Sequence, residues 1–255
     1  MTYCLAMRLE EGLVFLSDTR TNAGVDNVST YRKLHVFRPS DDRLLVLQSA
    51  GNLATTQEVL DRIGRDLRGS GESLATIDHL FEAALYVGRL SCEVAGAHSA
   101  TLGSGATATF ILGGQIAGDE PDILLVYPEG NYIRASDDRP FLQIGEAKYG
   151  KAWLDLAVRS HADMVTAAKV ALSSMAATAL ANLSVGPPYD LGIYRTDSLE
   201  LRHAQIAGDS PYLARLSDVW REHMLAAVDA LPSVEPGDIK VLASDVPGPD
   251  LTATH

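Results

Sequence analysis

MTYCLAMRLEEGLVFLSDTR, residues 1–20, carries two short apolar runs, Thr2 to Leu9 and Leu13 to Asp18, joined by Glu10, Glu11 and Gly12. Two such runs separated by a polar, glycine-containing turn read as a β-hairpin. Strand side chains alternate between faces, so Thr2, Cys4 and Ala6, all small, share one face of the first strand. Val14, Leu16 and Asp18 share one face of the second. A further pair follows, Lys33 to Phe37 and Arg43 to Ser49, around Arg38-Pro39-Ser40-Asp41-Asp42, a segment rich in turn-forming residues.

Beyond residue 50 the period of the pattern changes. Leu53, Val59, Leu60, Ile63 and Leu67 recur at helical spacing behind Asn52, a good N-cap. Leu74 to Ala97 repeats the pattern, and the Gly-rich stretch Gly103 to Gly105 ends it. A meander of strands is expected at Thr107–Ile116, Ile123–Tyr127, Tyr132–Ala135 and Phe141–Gly145, with helices at Gly150–Val158 and Met164–Leu183. Strands at Asp190–Thr196 and Leu199–Ile206 precede a helix over Pro211–Leu231, capped by Ser210 with proline at its first position. A short strand is expected at Ile239–Ala243. The order ββββ, αα, ββββ, αα, ββ, α is not that of a parallel βαβ sheet. It predicts an α+β fold, a four-layer αββα sandwich of two antiparallel sheets. No internal repeat or linker divides the chain, which reads as a single domain over residues 1–255 with a C-terminal extension from about residue 233.

Composition narrows the function. The 255 residues are 46% hydrophobic and 21% charged, enough to bury a sizeable core. A net charge of −12 repels phosphate backbones, which argues against nucleic acid, and serves solubility. Cys4 and Cys92 lie in apolar segments and do not form a disulfide framework. The seven histidines are scattered, with no H-x-x-x-H or C-x-x-C, so no metal and no cofactor is expected. The start lacks the basic and apolar regions of a signal peptide, and no apolar run reads as long enough to span a bilayer. A soluble, cytoplasmic protein without a membrane partner is expected.

The Met1-Thr2 junction carries chemistry. Methionine aminopeptidase removes Met before a small residue, which would leave Thr2 with a free α-amine. Such an amine has a pKa of about 7.7–8.0 and accepts a proton near neutral pH. Held beside Oγ, it serves as general base to its own hydroxyl, so no histidine is needed. Asp18 reads either as a strand-end residue meeting solvent or as a partner for a buried cation. Lys33 reads either as a solvated strand start or as that cation. Together they make a site: the ammonium stabilises Oγ as it gains negative charge, and a partly buried lysine needs a carboxylate. Gly51, where strand turns into helix, reads either as a plain turn glycine or as a backbone donor to an oxyanion.

With Thr2, Asp18, Lys33 and Gly51 in this order, the chain resembles the proteasome β-subunits, and within them the bacterial branch called Anbu, the ancestral β-subunit. The segments that carry the resemblance are the Met-Thr-Tyr-Cys start, GLVFLSDTR at residues 12–20, the run from Ser17 to Lys33, and the glycine after Ser49-Ala50. The resemblance covers nearly the whole chain. It implies an N-terminal-nucleophile hydrolase with Thr2 as nucleophile, Asp18 and Lys33 as its support and Gly51 at the oxyanion. It also implies a peptide or amide substrate and a homo-oligomer, a ring or open spiral, associating through helices; no ATPase partner can be read. Two departures stand out. Only Met1 precedes Thr2, where relatives usually carry a propeptide. The segments that steady the threonine in relatives correspond here to Gly145-Glu146-Ala147-Lys148 and to Ala181-Asn182-Leu183-Ser184-Val185-Gly186, the latter lacking the family's Asp. The amphipathic stripe Leu213, Leu216, Val219, Trp220, Met224 and Val228 serves either this chain's own sheet or a neighbouring subunit. Beside the peptidase reading stand an amidohydrolase or amide transferase acting on a small metabolite, and a weakly active scaffold.

Overall fold

A computed structural model of the chain describes residues 1–22, 28–235 and 238. The opening hairpin is β1 (Tyr3–Leu9) and β2 (Gly12–Asp18), turning at Glu10 and Glu11 as expected. A small ribbon, β3 (Arg20–Asn22) with β4 (Val28–Thr30), follows; its strands are too short for alternation to betray them in the sequence. Then come β5 (Leu34–Ser40) and β6 (Arg43–Gly51), α1 (Leu53–Asp66) and α2 (Leu80–Leu102). The second half holds β7 (Ala108–Ile116), β8 (Asp122–Val126), β9 (Tyr132–Arg134), β10 (Phe141–Gly145), α3 (Ala147–Ala157), α4 (Met164–Ala181), β11 (Tyr189–Arg195), β12 (Leu201–Ile206) and α5 (Pro211–Asp229).

The strands form two five-stranded antiparallel sheets, one ordered β10-β1-β2-β11-β12 and the other β5-β6-β7-β8-β9. Alternation decides which way each side chain points. Cys4, Ala6, Leu13 and Phe15 of the first sheet meet Leu44, Val46, Ile111 and Ile123 of the second in an inter-sheet core. The opposite parity of β1 and β2, Leu5, Met7, Val14 and Leu16, packs under α4 residues such as Ala171 and Met175. Leu45, Leu47, Phe110 and Leu112 pack under Val59 and Ile63 of α1 and Val87 of α2. The result is the predicted αββα sandwich. Each fully buried Leu or Phe contributes about 1.5–3 kcal/mol by leaving water.

The differences from expectation have local causes. Phe141–Gly145 does not complete the meander: β10 crosses to the first sheet and pairs with β1, Tyr3 opposite Gly145. Arg38 to Ser40 stay in β5, with an irregularity between Phe37 and Ser40, so the turn shrinks to Asp41 and Asp42. Residues 74–79 are not helical. Arg43 reaches across to donate to Ile77 O at 2.6 Å and Leu74 O at 3.3 Å, using carbonyls a helix would have claimed. The helix starts instead behind His79, whose amide donates to Glu82 Oε2 at 3.2 Å in a capping box. α4 is, contrary to expectation, long and apolar enough to cross a bilayer, with a mean hydropathy of 1.4 over 18 residues. Its apolarity has a local use, since Met164, Ala167, Ala171, Leu172 and Met175 are buried against the first sheet.

The chain divides into two compact units, Met1–Ser217 and Asp218–His255, with the boundary inside α5. In the first, Leu213 and Leu216 pack against the outer core of the first sheet. In the second, Val219, Met224, Leu225 and Val228 are exposed. The strand expected at Ile239–Ala243 lies outside the described residues.

Candidate active site

Asp18 ends β2 and is fully buried, so the reading of it as a strand end meeting solvent is overturned. Its Oδ1 accepts from Lys33 Nζ at 2.7 Å and from the Tyr3 amide at 3.0 Å, while Oδ2 accepts from the Gly186 amide at 3.3 Å. Lys33 stands just ahead of β5, and its carbonyl accepts from the Ser49 amide of β6 at 3.1 Å. From that backbone position in the second sheet its side chain reaches Asp18 in the first, so the ion pair links the two sheets. Nζ also donates to Arg20 O at 2.6 Å. Lys33 is 4% exposed and no solvated strand start. Burying two charges is costly, and here each is met by its opposite and by further hydrogen bonds. Burial pushes the Asp18 carboxyl above the usual carboxylate range, opposed by the charge of Lys33 and by the bonds from Lys33, Tyr3 and Gly186.

Thr2 precedes β1 and is half-buried; Met1 before it is exposed. The Thr2 carbonyl accepts from the Glu146 amide at 2.8 Å. This contact needs a glycine beside it. Gly145 has φ +82°, and a Cβ there would stand 1.9 Å from Thr2 O. Tyr3, the next residue, is tied at both ends: its amide to Asp18, and its phenol to Ser174 Oγ at 2.7 Å with Gln143 Nε2 donating to the same oxygen. Burial pushes that phenol up to about 12.

Thr2, Lys33 and Gly51 line one cleft of about 440 Å³, together with Thr21, Tyr31 and Glu146. Asp18 is not among the lining residues and meets the cleft through its bond to Lys33. Gly51 closes β6 at φ +113°, where a Cβ would meet Thr107 O at 2.6 Å, so the backbone demands glycine there whatever else it does. Behind it the Asn52 side chain caps α1, accepting from the Thr55 amide at 3.1 Å.

Sequence reasoning missed the amides of Tyr3 and Gly186 and the carbonyl of Arg20. Backbone groups leave no signature in side-chain identity. The segment Asn182–Gly186, which lacks the family's Asp, takes part through its main chain: Gly186 donates to Asp18, and Leu183 O accepts from Arg20 Nη1 at 2.9 Å. Tyr3, Gln143 and Ser174 are 140 or more residues apart in two of their pairings and could be joined only by the fold. Among the described residues no group of three or more His, Cys, Asp or Glu converges to hold a metal. The arrangement offers a hydroxyl, a buried ammonium held by a carboxylate, and a glycine backbone around one opening.

No protein-family model matches the chain, and no curated protein does. Solved structures do. Anbu (ancestral β-subunit) from Yersinia bercovieri is 42% identical, with a TM-score of 0.86 over 92% of this chain and 99% of that one. Anbu from Hyphomicrobium sp. strain MC1 is 43% identical, with a TM-score of 0.83 over 91% of this chain and 99% of that one. The helical assembly of the Anbu complex from Pseudomonas aeruginosa matches at 40% identity, with a TM-score of 0.87 over 92% and 99%.

Proposed function

The chain belongs to the Anbu, or ancestral β-subunit, family of proteasome-like proteins, and from that premise we propose that it is a threonine peptidase whose nucleophile is Thr2. The observation that carries this reading is the buried Lys33–Asp18 pair, 2.7 Å apart, beside the cleft that Thr2 lines. Removal of Met1 frees the α-amine of Thr2. That amine takes the Oγ proton as Oγ attacks the scissile carbonyl carbon. Lys33 lowers the energy of the developing alkoxide, and Asp18, 2.7 Å from its Nζ, keeps the lysine aimed. The tetrahedral oxyanion is met by backbone donors at Gly51. The leaving amine departs with the proton, an acyl ester remains on Oγ, and water, activated by the same α-amine, releases the acid and restores Thr2.

The assembled state follows from the same family. The Pseudomonas aeruginosa relative forms a helical assembly, and an open spiral of identical subunits is the arrangement proposed for this chain, working in the cytoplasm on peptides or partly unfolded chains. A cleft of about 440 Å³ also falls within the size range of small-molecule sites, roughly 300–1,000 Å³. That size favours, as a second reading, an amidohydrolase or amide transferase acting on a small metabolite.

A peptide carrying an electrophilic end group, such as an epoxyketone, tests the nucleophile. Mass spectrometry of the N-terminal peptide is expected to find Met1 absent and the probe on Thr2. Retention of Met1 in active material, or labelling elsewhere with Thr2 untouched, overturns the mechanism. Labelling by small amide analogues but not by peptides moves the assignment to the second reading.

A further inference from the structure

Glu146 is the carboxylate among the residues that line the cleft, and the mechanism leaves it unused. It holds the N-cap position of α3, where Ser, Thr, Asp or Asn ordinarily turns a side-chain oxygen onto the helix amides. Its carboxylate makes no capping bond. The side chain is only 11% exposed, and its ion-pair partner among the described residues is Lys148 Nζ at 3.9 Å, on a side chain 70% exposed. That distance is beyond hydrogen bonding. Meanwhile the Glu146 amide donates to Thr2 O at 2.8 Å, and Glu146 lines the same cleft as Met1, Thr2 and Lys33. A nearly buried carboxylate that caps nothing therefore stands one backbone hydrogen bond from Thr2.

We propose that Glu146 is the positioning residue for the α-ammonium group that Thr2 exposes when Met1 is removed, holding that nitrogen beside Oγ and raising its proton affinity. This rests on the reading of Thr2 as the first residue of the mature chain. The titratable groups of the cleft are Lys33 ahead of β5, Tyr31 from the segment before it and Glu146 at the start of α3, with Asp18 at the end of β2 bonded to Lys33 and Lys148 paired to Glu146. Lys33 and Asp18 form a matched pair of opposite charges 2.7 Å apart, whereas the carboxylate of Glu146 has its cation, Lys148, 3.9 Å away on a largely exposed side chain, and so is the less compensated charge at the cleft. Its attraction favours the protonated amine. The amine thereby becomes a stronger base, and the acid side of any activity profile moves to higher pH.

The direct test titrates the amine itself and needs no substrate. Wild type, Glu146→Gln and Glu146→Asp are pulsed with acetic anhydride across pH, and acetylation of the Thr2 nitrogen is read by mass spectrometry of the N-terminal peptide. Coulomb's law between unit charges a few ångströms apart in a water-rich cleft leads one to expect the Glu146→Gln midpoint to fall by about half a pH unit or more. Glu146→Asp, which keeps the charge, restores most of the wild-type midpoint. An unmoved midpoint in Glu146→Gln, with Met1 absent and the melting curve unchanged, overturns the proposal while leaving Thr2 as the proposed nucleophile. A shift that Asp does not reverse also overturns it, since lost packing would then be the cause. Met1 still present in the wild-type peptide fails the reading of Thr2 itself, and this inference falls with it; the peptide mass separates that case from the other two.

Discussion

Lys33 holds its ammonium between the Asp18 carboxylate and the Arg20 carbonyl with 4% of the residue exposed. Such a group cannot be deleted quietly. Lys33→Ala is expected to lower probe labelling of Thr2 by about 10²-fold or more, the usual loss for a key electrostatic group. It also leaves Asp18 buried without its cation, which costs about 3–5 kcal/mol in urea unfolding. Labelling at near-native rate would remove Lys33 from the mechanism. The carboxyl has its own signature. Burial raises the folded Asp18 above its unfolded value, so the folded state binds the proton more tightly. The stability this lends is fully present below the unfolded pKa of about 3.9 and is lost as pH rises through the folded one. Asp18→Asn removes that proton, and the fall in stability across this acidic window should flatten; an unchanged slope would show the carboxyl is not raised. Asp18 and Lys33 were legible in sequence as residues, because a charge at the rim of an apolar strand is conspicuous. The amides of Tyr3 and Gly186 that hold Asp18 were not, since any residue supplies one.

At the scale of elements, the contact that sets Thr2 is the meeting of β1 and β10. Gly145, at φ +82°, leaves no room for a methyl beside Thr2 O. Gly145→Ala is therefore expected to cost about 1–3 kcal/mol from backbone strain and, by displacing Thr2, to slow probe labelling more than it lowers the melting temperature would suggest. Full labelling with an intact fold would show that β10 does not position the nucleophile. This pairing was the part of the fold that periodicity could not supply. Phe141–Gly145 has the apolar character of a strand, but that pattern says only that a strand exists, not which edge it joins. The long helices were better marked: Asn52 announces α1, and Ser210-Pro211 announces α5. The start of α2 was missed because Leu74 and Ile77 keep helical spacing while Arg43, far away in sequence, occupies their carbonyls.

For the whole molecule, the layered order of strands and helices was readable because each layer needs a distinct hydrophobic period, 2 for strands and about 3.6 for helices. What the sequence left open was the use of α5, whose Val219, Met224, Leu225 and Val228 are exposed. Light scattering at micromolar concentration is expected to return a mass well above a dimer; a stable monomer would end the proposal of an open spiral and favour the small-amide reading. The strand order of the first sheet has one more consequence, for biosynthesis. β2 lies between β1 and β11, yet β11 begins roughly 170 residues after β2 ends. At about 5–20 residues per second on the ribosome, the finished hairpin waits roughly 10–30 s for its neighbour. Throughout that interval the flank of β2 is an open strand edge, and the carboxylate at its end lacks the Gly186 amide that completes it. Emergence from the ribosome thus acts as a clock: the first segment translated is among the last to have its hydrogen bonds completed.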